Sequence, residues 1–533
     1  MPENDLNIIW FRRDLRLLDN EIVNKAFNEA TRVLPIYIFE TENLSHNDFS
    51  AKRNCFLFEC LAELEEALLK RGSKLHIFEG KKLDILTILF EELKTKFSNI
   101  TLHFNREAEY DYNHSFDKEV ENLCAEMEIK VKVGTNNFLL LDESTMNAWR
   151  EQYYAYQKQS IHPEPADFSY SFCKTDFTNL RSITCGELKN KHQSTLQMNS
   201  LFKGGEIQAQ KTLTSFLTER YKGYHWKISR PWLTQLGATS HLSPHIYFGT
   251  VSTRQISQAL RQLKHQSEDP KNQLSLAAFQ DRIRWRDSFT QRLFFHPELI
   301  TKNKYVEFDD WYDPKELTPE KKILFEAWIN GRTGYPLVDA CMRQLQEQGW
   351  MNFRMRAMCA TFLCINCNIS WHHGAQYFMQ NLIDADYAIN NWQWQMQAGI
   401  TNPINPAFRI YNPTKNLQEK DPKLEYIHHW LPELRVFSME QILNQEYLGK
   451  VEYPPPIVNW ELSKRVNGKA IADIRKKVKE RLIRTQDEEF KQALIADQVV
   501  KKYYEGKNKI YAKIKELDSD LQLRLDLSFE GDE

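Results

Sequence analysis

The spacing of apolar residues along this chain changes period once, and that change limits the folds open to it. Over the first ~135 residues, short apolar runs alternate with amphipathic stretches. The runs are Asn7–Phe11, Leu34–Glu40, Lys74–Phe78 and Ile100–Phe104, and the stretches between them are Ala51–Arg71 and Leu86–Phe97. Apolar runs separated by helical spacing, in units of roughly 30 residues, predict an α/β domain with a Rossmann-like parallel sheet over 1–135. From Gly204 onward the strand signal fades. The segments GGEIQAQKTLTSFLTERY, VSTRQISQALRQLK, AAFQDRIRWRDSFTQRLFF, VDACMRQLQEQGW and FRMRAMCATFLCINCNISW follow one another at helical period. They predict an all-helical domain over 204–460, closing near Tyr453-Pro454-Pro455-Pro456. Residues 136–203 are polar, aromatic and aperiodic, the pattern of a connection laid over the surface. Beyond 460, Ala470–Arg484 and Glu488–Leu517 read as charged helices of an extension over 461–533. Its Lys464, Arg465, Lys469, Arg475, Lys476, Lys477, Lys479, Arg481 and Arg484 fit a solvated helix face, with a nucleic-acid contact as the alternative.

Composition enters as a set of exclusions. The 533 residues carry 70 Lys+Arg against 72 Asp+Glu, which argues against histone-like binding but leaves room for one local basic face. Nine Cys, an odd number scattered without a signal peptide, read as reduced thiols in a cytoplasmic setting. No run approaches the ~20 apolar residues of a membrane span, so no membrane partner is expected. Aromatics are abundant, with 13 Trp, 22 Tyr and 31 Phe; most such residues fill cores.

Four constellations can carry chemistry. After the first run stand Arg12, Arg13, Asp14 and Arg16, where a dinucleotide fingerprint would show glycines; the ordinary reading is a solvated, salt-bridged turn. In Gly237–His245, Ser243 before Pro244 has N-cap and first-turn chemistry, and Thr239 and Ser240 add hydroxyls, so the segment suits phosphate oxygens. Arg354 and Arg356, two apart on an apolar helix, point to different sides, and a buried arginine there needs a carboxylate such as Asp384 or Asp386. Cys359, Cys364 and Cys367, with Cys341, have the spacing of a plant-type [2Fe–2S] site. They lie mid-helix, however, where buried thiols are the common outcome, and no metal is expected.

These residues fall into an order shared with a known family. IIWFRRDLRLLDN, TSHLSP, WRD, GRTGYPLVDACMRQL…GWMNFRMR, LIDAD…N…WQ and FRIYNPTK follow one another over roughly residues 5–485. The chain thereby resembles the photolyase/cryptochrome flavoproteins. The resemblance implies an antenna domain followed by a helical domain holding FAD. It places Tyr224, Thr239, Ser240, Leu242 and Ser243 at the FAD phosphates and ribose, and Arg286 in the flavin cavity. Arg356 with Asp384, then Asp386 and Asn390, fall beside the flavin ring, and Asn390 is the photolyase-like choice at flavin N5. Trp394 and Trp371 match the inner members of an electron-transfer chain. The outermost position holds Thr318, with Trp311 or Tyr312 as substitutes.

The substrate side departs from the family pattern. Arg282 stands where dimer-repairing members carry Glu, Phe353 where they carry Asn, Ala357 for Met and Met396 for Trp, while Trp285 is kept. Arg282, Arg354, Arg409 and Lys415 are the expected phosphate contacts. The resemblance thus implies a light-driven FAD-dependent photolyase acting on pyrimidine dimers in UV-damaged DNA, expected as a monomer. A cryptochrome-like photoreceptor and a light-independent damage binder are the alternatives. A second antenna chromophore (folate, deazaflavin or flavin) is expected near Asn105 and Glu107.

Overall fold

The computed structural model describes residues 5–29, 32–40, 50–106, 115–169, 172–193, 196, 201–405, 408–495, 497, 498, 501 and 505. Glu107 and most of 488–517 lie outside them. Five parallel strands, β1 (Asp5–Phe11), β2 (Val33–Phe39), β3 (His76–Glu79), β4 (Asn99–Arg106) and β5 (Lys130–Thr135), form one sheet in the order β3-β2-β1-β4-β5. Helices α1 (Glu21–Glu29), α2 (Ala51–Leu69), α3 (Lys82–Lys94) and α4 (Ser115–Glu126) cross between them. Six of the seven residues of β1 are buried, because helices cover both faces of a parallel sheet and its inner strands need continuous apolar runs. The sequence pattern misses β5 for the complementary reason. It is an edge strand, KVKVGT, whose lysines face solvent and dilute the apolar signal.

Two expectations fail in this domain. Arg16 and Asp14 are 1 % exposed and Arg12 is 8 % exposed, so the charged turn is not solvated. The reason is that polar partners await inside. Arg16 donates to Gly249 O at 2.7 Å, Asp19 O at 2.8 Å and Leu18 O at 3.0 Å. Residues 136–203 are also more than a surface drape. They include a helix at Trp149–Tyr156 and another at Cys185–Lys191, and they add bridges Val33–Phe172 and Ile77–Ile183 to the sheet.

The helical part contains α5 (Glu206–Ser215), α6 (Tyr224–Lys227), α7 (Ser243–Tyr247), α8 (Thr253–Gln266), α9 (Pro270–Phe295), α10 (Pro319–Ile329), α11 (Pro336–Gln348), α12 (Phe353–Thr361), α13 (Trp371–Asn381), α14 (Tyr387–Gln397), α15 (Pro413–Lys420) and α16 (Trp460–Thr485). Asn459 caps α16, accepting from Leu462 N at 2.9 Å, so that helix starts ten residues before the expected one. Ile471, Val478 and Leu482 of α16 join the largest apolar core. Its basic residues divide: Lys469 and Lys476 face the exposed carboxylates of Asp473 and Glu480 and Lys464 lies over the Trp460 ring, whereas Arg475 is buried on four backbone carbonyls and Arg481 pairs with Glu307 and Glu489.

The two parts meet at a polar seam. Asp19 takes Arg254 and Ser252, and the Glu206 carboxyl accepts from Leu17 N at 2.8 Å and Leu18 N at 3.0 Å. Gly249 (φ +68) passes so close that a Cβ there would sit 2.0 Å from Arg13 O, which makes glycine obligatory. No helix among the described residues is long and apolar enough to cross a membrane.

Candidate functional site

Helix α14 packs on both α9 and α12 and brings the expected residues to one region. Arg354 and Arg356 do point to different sides of α12. Arg356 turns toward the loop before α14, where its Nη2 lies 2.9 and 3.0 Å from the two Asp384 oxygens and its Nε donates to Met351 O at 2.9 Å. Asp386 is the N-cap of α14, its Oδ1 accepting from Ala388 N at 2.9 Å. Its Oδ2 faces Arg286 at 3.8 Å and Arg13 at 4.0 Å. Arg286 also donates to Asp287 at 3.0 Å, and burial pushes that carboxyl up against the arginine's pull. Arg13 reaches this cluster from the α/β domain; its place in a charged turn hid that from sequence reasoning. One turn into α14, Asn390 is buried, its amide donating to Ala375 O and Asn391 Oδ1, each at 3.0 Å.

The 237–243 loop lies against the same part of the molecule. Ser243 is not the N-cap it was expected to be. His241 adopts a left-handed backbone (φ +57), Leu242 turns almost helical (φ −90, ψ −6), and Leu242 occupies the cap position without a side-chain bond. The helix entry therefore comes one residue early. Ser243 opens α7, and Thr239 and Ser240 are buried. Arg220, which sequence reasoning missed, braces the loop from behind through the carbonyls of Gly237, Thr239 and Ser240. Tyr224 stands at the start of α6 with its phenol toward Arg282; burial raises that hydroxyl to about 12.

The arginines on the remaining side are held differently. The Arg282 guanidinium lies between two rings, 4.6 Å from the Trp285 centroid and 4.7 Å from that of Phe353. Its Nε is buried without a hydrogen-bond acceptor among the described residues. Arg354 donates to the Tyr411 hydroxyl at 2.7 Å, and Arg409 donates to the same oxygen at 3.2 Å. Tyr411, inside FRIYNPTK, is the organising residue that the sequence reading passed over. Lys415 is exposed on α15, 3.9 Å from Glu419. Met396 follows Trp394 by two residues, about 200° round α14, and so points away from that indole.

Trp394 and Trp371 are both buried. Gly374 makes room for the first, since a Cβ there would meet Trp394 Cη2 at 2.2 Å. Trp371 donates to Asn303 Oδ1 at 2.7 Å and stacks on His372. Thr318 caps α10, and Tyr312 is 0 % exposed with its hydroxyl on Ala398 O, so Tyr312 cannot end a path at the surface; Trp311 is partly buried. Asn105 already commits its amide to Asp14 at 2.7 Å and Asn20 at 3.1 Å. Cys359, Cys364 and Cys367 run along α12 and the π-turn after it, buried, with burial pushing the thiols up.

The family model for the FAD binding domain of DNA photolyase matches residues 279–473, and that for DNA photolyase matches 7–160. A deoxyribodipyrimidine photo-lyase of Buchnera aphidicola is 30 % identical over 479 residues, covering 86 % of this chain and 95 % of that one. A cryptochrome DASH of Synechocystis is 28 % identical, covering 86 % and 96 %. Among solved structures, the archaeal photolyase of Sulfolobus tokodaii, which holds two FAD molecules, aligns with a TM-score of 0.71 at 28 % identity, covering 89 % of this chain and all of that one.

Proposed function

The chain belongs to the photolyase/cryptochrome family, and from that premise we propose that it is a light-driven, FAD-dependent lyase that splits pyrimidine dimers in UV-damaged DNA. The observation that carries this reading is the meeting of two kinds of arginine on α9 and α12. Arg286 and Arg356 are fixed on carboxylates, while Arg282 and Arg354 keep their charge beside aromatic rings. The buried Thr239 and Ser240, with the guanidiniums of Arg286 and Arg356, fit an anionic, oxygen-rich cofactor.

Bound FAD supplies the light absorption and the electron; the protein supplies orientation and electrostatics. Tyr224, Thr239, Ser240, Leu242 and Ser243, braced by Arg220, hold the phosphates and ribose. Arg356 and Arg286 face the ring system, each kept in place by its carboxylate, and Asn390 offers an uncharged amide rather than a proton. A pair of bases turned out of the duplex stacks near Trp285 and Phe353, while Arg282, Arg354 and Arg409 hold phosphates or base oxygens. A second chromophore of folate, deazaflavin or flavin class belongs to the α/β domain.

The test is illumination of reduced, FAD-loaded protein with DNA carrying one defined dimer. Dimers should disappear in light and persist in darkness; persistence in light at saturating protein refutes the lyase. One observation favours a photoreceptor instead: Arg282 occupies the gap between Trp285 and Phe353 that a base would need. In that case light leaves dimers intact and alters the protease sensitivity of residues 461–533.

A further inference from the structure

An aromatic path leads outward from Trp394 without passing Trp371. Trp394 meets Trp328 edge-on with 6.1 Å between ring centroids, and Trp328 meets Tyr377 edge-on at 5.7 Å. Trp328, on α10, is fully buried and donates its indole N–H to Cys359 O at 3.2 Å. Tyr377, on α13, is only partly buried. Its hydroxyl donates to Ile329 O at 3.3 Å and accepts from Gln346 Nε2 at 3.2 Å. Phe378 packs against both indoles, 5.0 Å from Trp394 and 5.9 Å from Trp328, and holds the pair in register. Trp371 is placed otherwise. Among the described residues its one ring contact is with His372, and the position beyond it in the sequence pattern is Thr318, a helix cap without a ring.

We propose that Tyr377 is the terminal electron donor of this protein, reached through Trp394 and Trp328. The proposal rests on the flavin reading above. Trp394 gives one electron to photoexcited FAD, Trp328 refills Trp394, and Tyr377 refills Trp328. The chain therefore loses one electron in total, and it is lost from a phenol. Burial raises the Tyr377 hydroxyl above its ordinary value, so the group is protonated at neutral pH and its proton leaves with the electron. The Ile329 carbonyl is no base; the hydroxyl proton leaves to solvent water, to which the partly buried Tyr377 has access. A thiol in solution then returns one electron and one proton and restores the phenol. Tyr312 cannot serve, since it is fully buried with its hydroxyl on a carbonyl. Phe325 and Phe378 have no O–H or N–H proton to release.

Flash excitation of the FAD-loaded full chain tests this, read by transient absorption and by paramagnetic resonance of trapped radicals. A tyrosyl signal is expected, forming several-fold more slowly in D2O. Tyr377→Phe, which removes one hydroxyl from a partly exposed position, should abolish that signal and shorten the charge-separated state several-fold. Trp328→Phe should do the same, and Trp371→Phe should leave the signal in place. A tyrosyl signal that survives Tyr377→Phe, or that Trp371→Phe removes, overturns the branch while leaving the flavin reading intact. If the wild type gives no flash-induced radical, or Trp394→Phe leaves the radical unchanged, the flavin reading falls with it.

Discussion

The arginines around α9 and α12 form two groups that differ in what holds them. Arg356 and Arg286 rest on Asp384, Asp386 and Asp287. Arg282 rests on the faces of Trp285 and Phe353, and Arg354 and Arg409 gather at Tyr411. A carboxylate fixes a guanidinium and cancels its charge; a ring steadies it and leaves the charge intact. One group is therefore scaffold and the other is a cationic surface. The chain's near-neutral total charge conceals this division, because the positive surface is local and its balance lies elsewhere.

The largest test of the difference is Asp384→Asn, which keeps the shape and removes the charge. Arg356 then stands partly buried without a counter-ion, which costs about 2–3 kcal/mol, below the full penalty for a completely buried pair because its side chain is 24 % exposed. Urea unfolding should show that loss, and the FAD retained on purification should fall. If Asp384→Asn is as stable as the parent, the carboxylate-held group is not scaffold. Next in size is Arg282→Ala. It should leave FAD content unchanged, weaken DNA binding about tenfold at low salt, and reduce the salt slope by about 1. An unchanged slope would show that the stacked guanidinium does not meet phosphate.

The Arg356–Asp384 pair and the roll of phosphate-facing arginines were legible in the sequence; the stacking that holds Arg282 was not, for a physical reason. An arginine on an apolar helix demands a carboxylate, and LIDAD supplies one at a position the motif order points to. Stacking makes no comparable demand. Phe353 and Trp285 come from different helices, and no spacing rule says that their faces enclose Arg282. Arg13 was likewise read as part of a turn, because its partner Asp386 belongs to the other domain. The same limit applied to the fold. The inner strands announced themselves as apolar runs, whereas β5, polar on its open edge, did not. The α/β-then-helical order needed only periodicity.

A third test carries the comparison to titration at the domain seam. Burial lifts Asp19, but its hydrogen bonds to Arg254 and Ser252 outweigh that and hold it below 3.8. Its contribution is present above that value and is lost as pH falls through the lowered pKa. Glu206 accepts from the Leu17 and Leu18 amides; burial outweighs them and raises it from 4.5 to about 7. A carboxyl raised in the folded state stabilises below 4.5 and loses that contribution as pH rises toward 7, by roughly 1 kcal/mol for a partly solvated group. The melting temperature should therefore decline across pH 4.5 to 7, and Glu206→Gln should flatten that decline. A slope that survives the substitution assigns it to another group.

The smallest expected effect separates ring from hydroxyl within the stacked group. Tyr411→Phe keeps the face beside Arg354, 5.6 Å from its guanidinium carbon, and removes the oxygen that accepts from Arg354 and Arg409. Two partly exposed hydrogen bonds are lost, but water can replace them, so DNA affinity should fall by only about 0.5–1 kcal/mol. Both arginines keep their charge, so the salt slope should not move. That outcome, beside the reduced slope of Arg282→Ala, would show that the rings hold position and the guanidiniums hold phosphate. A slope reduced as far by Tyr411→Phe as by Arg282→Ala would mean that the hydroxyl, not the ring, keeps these arginines turned toward DNA.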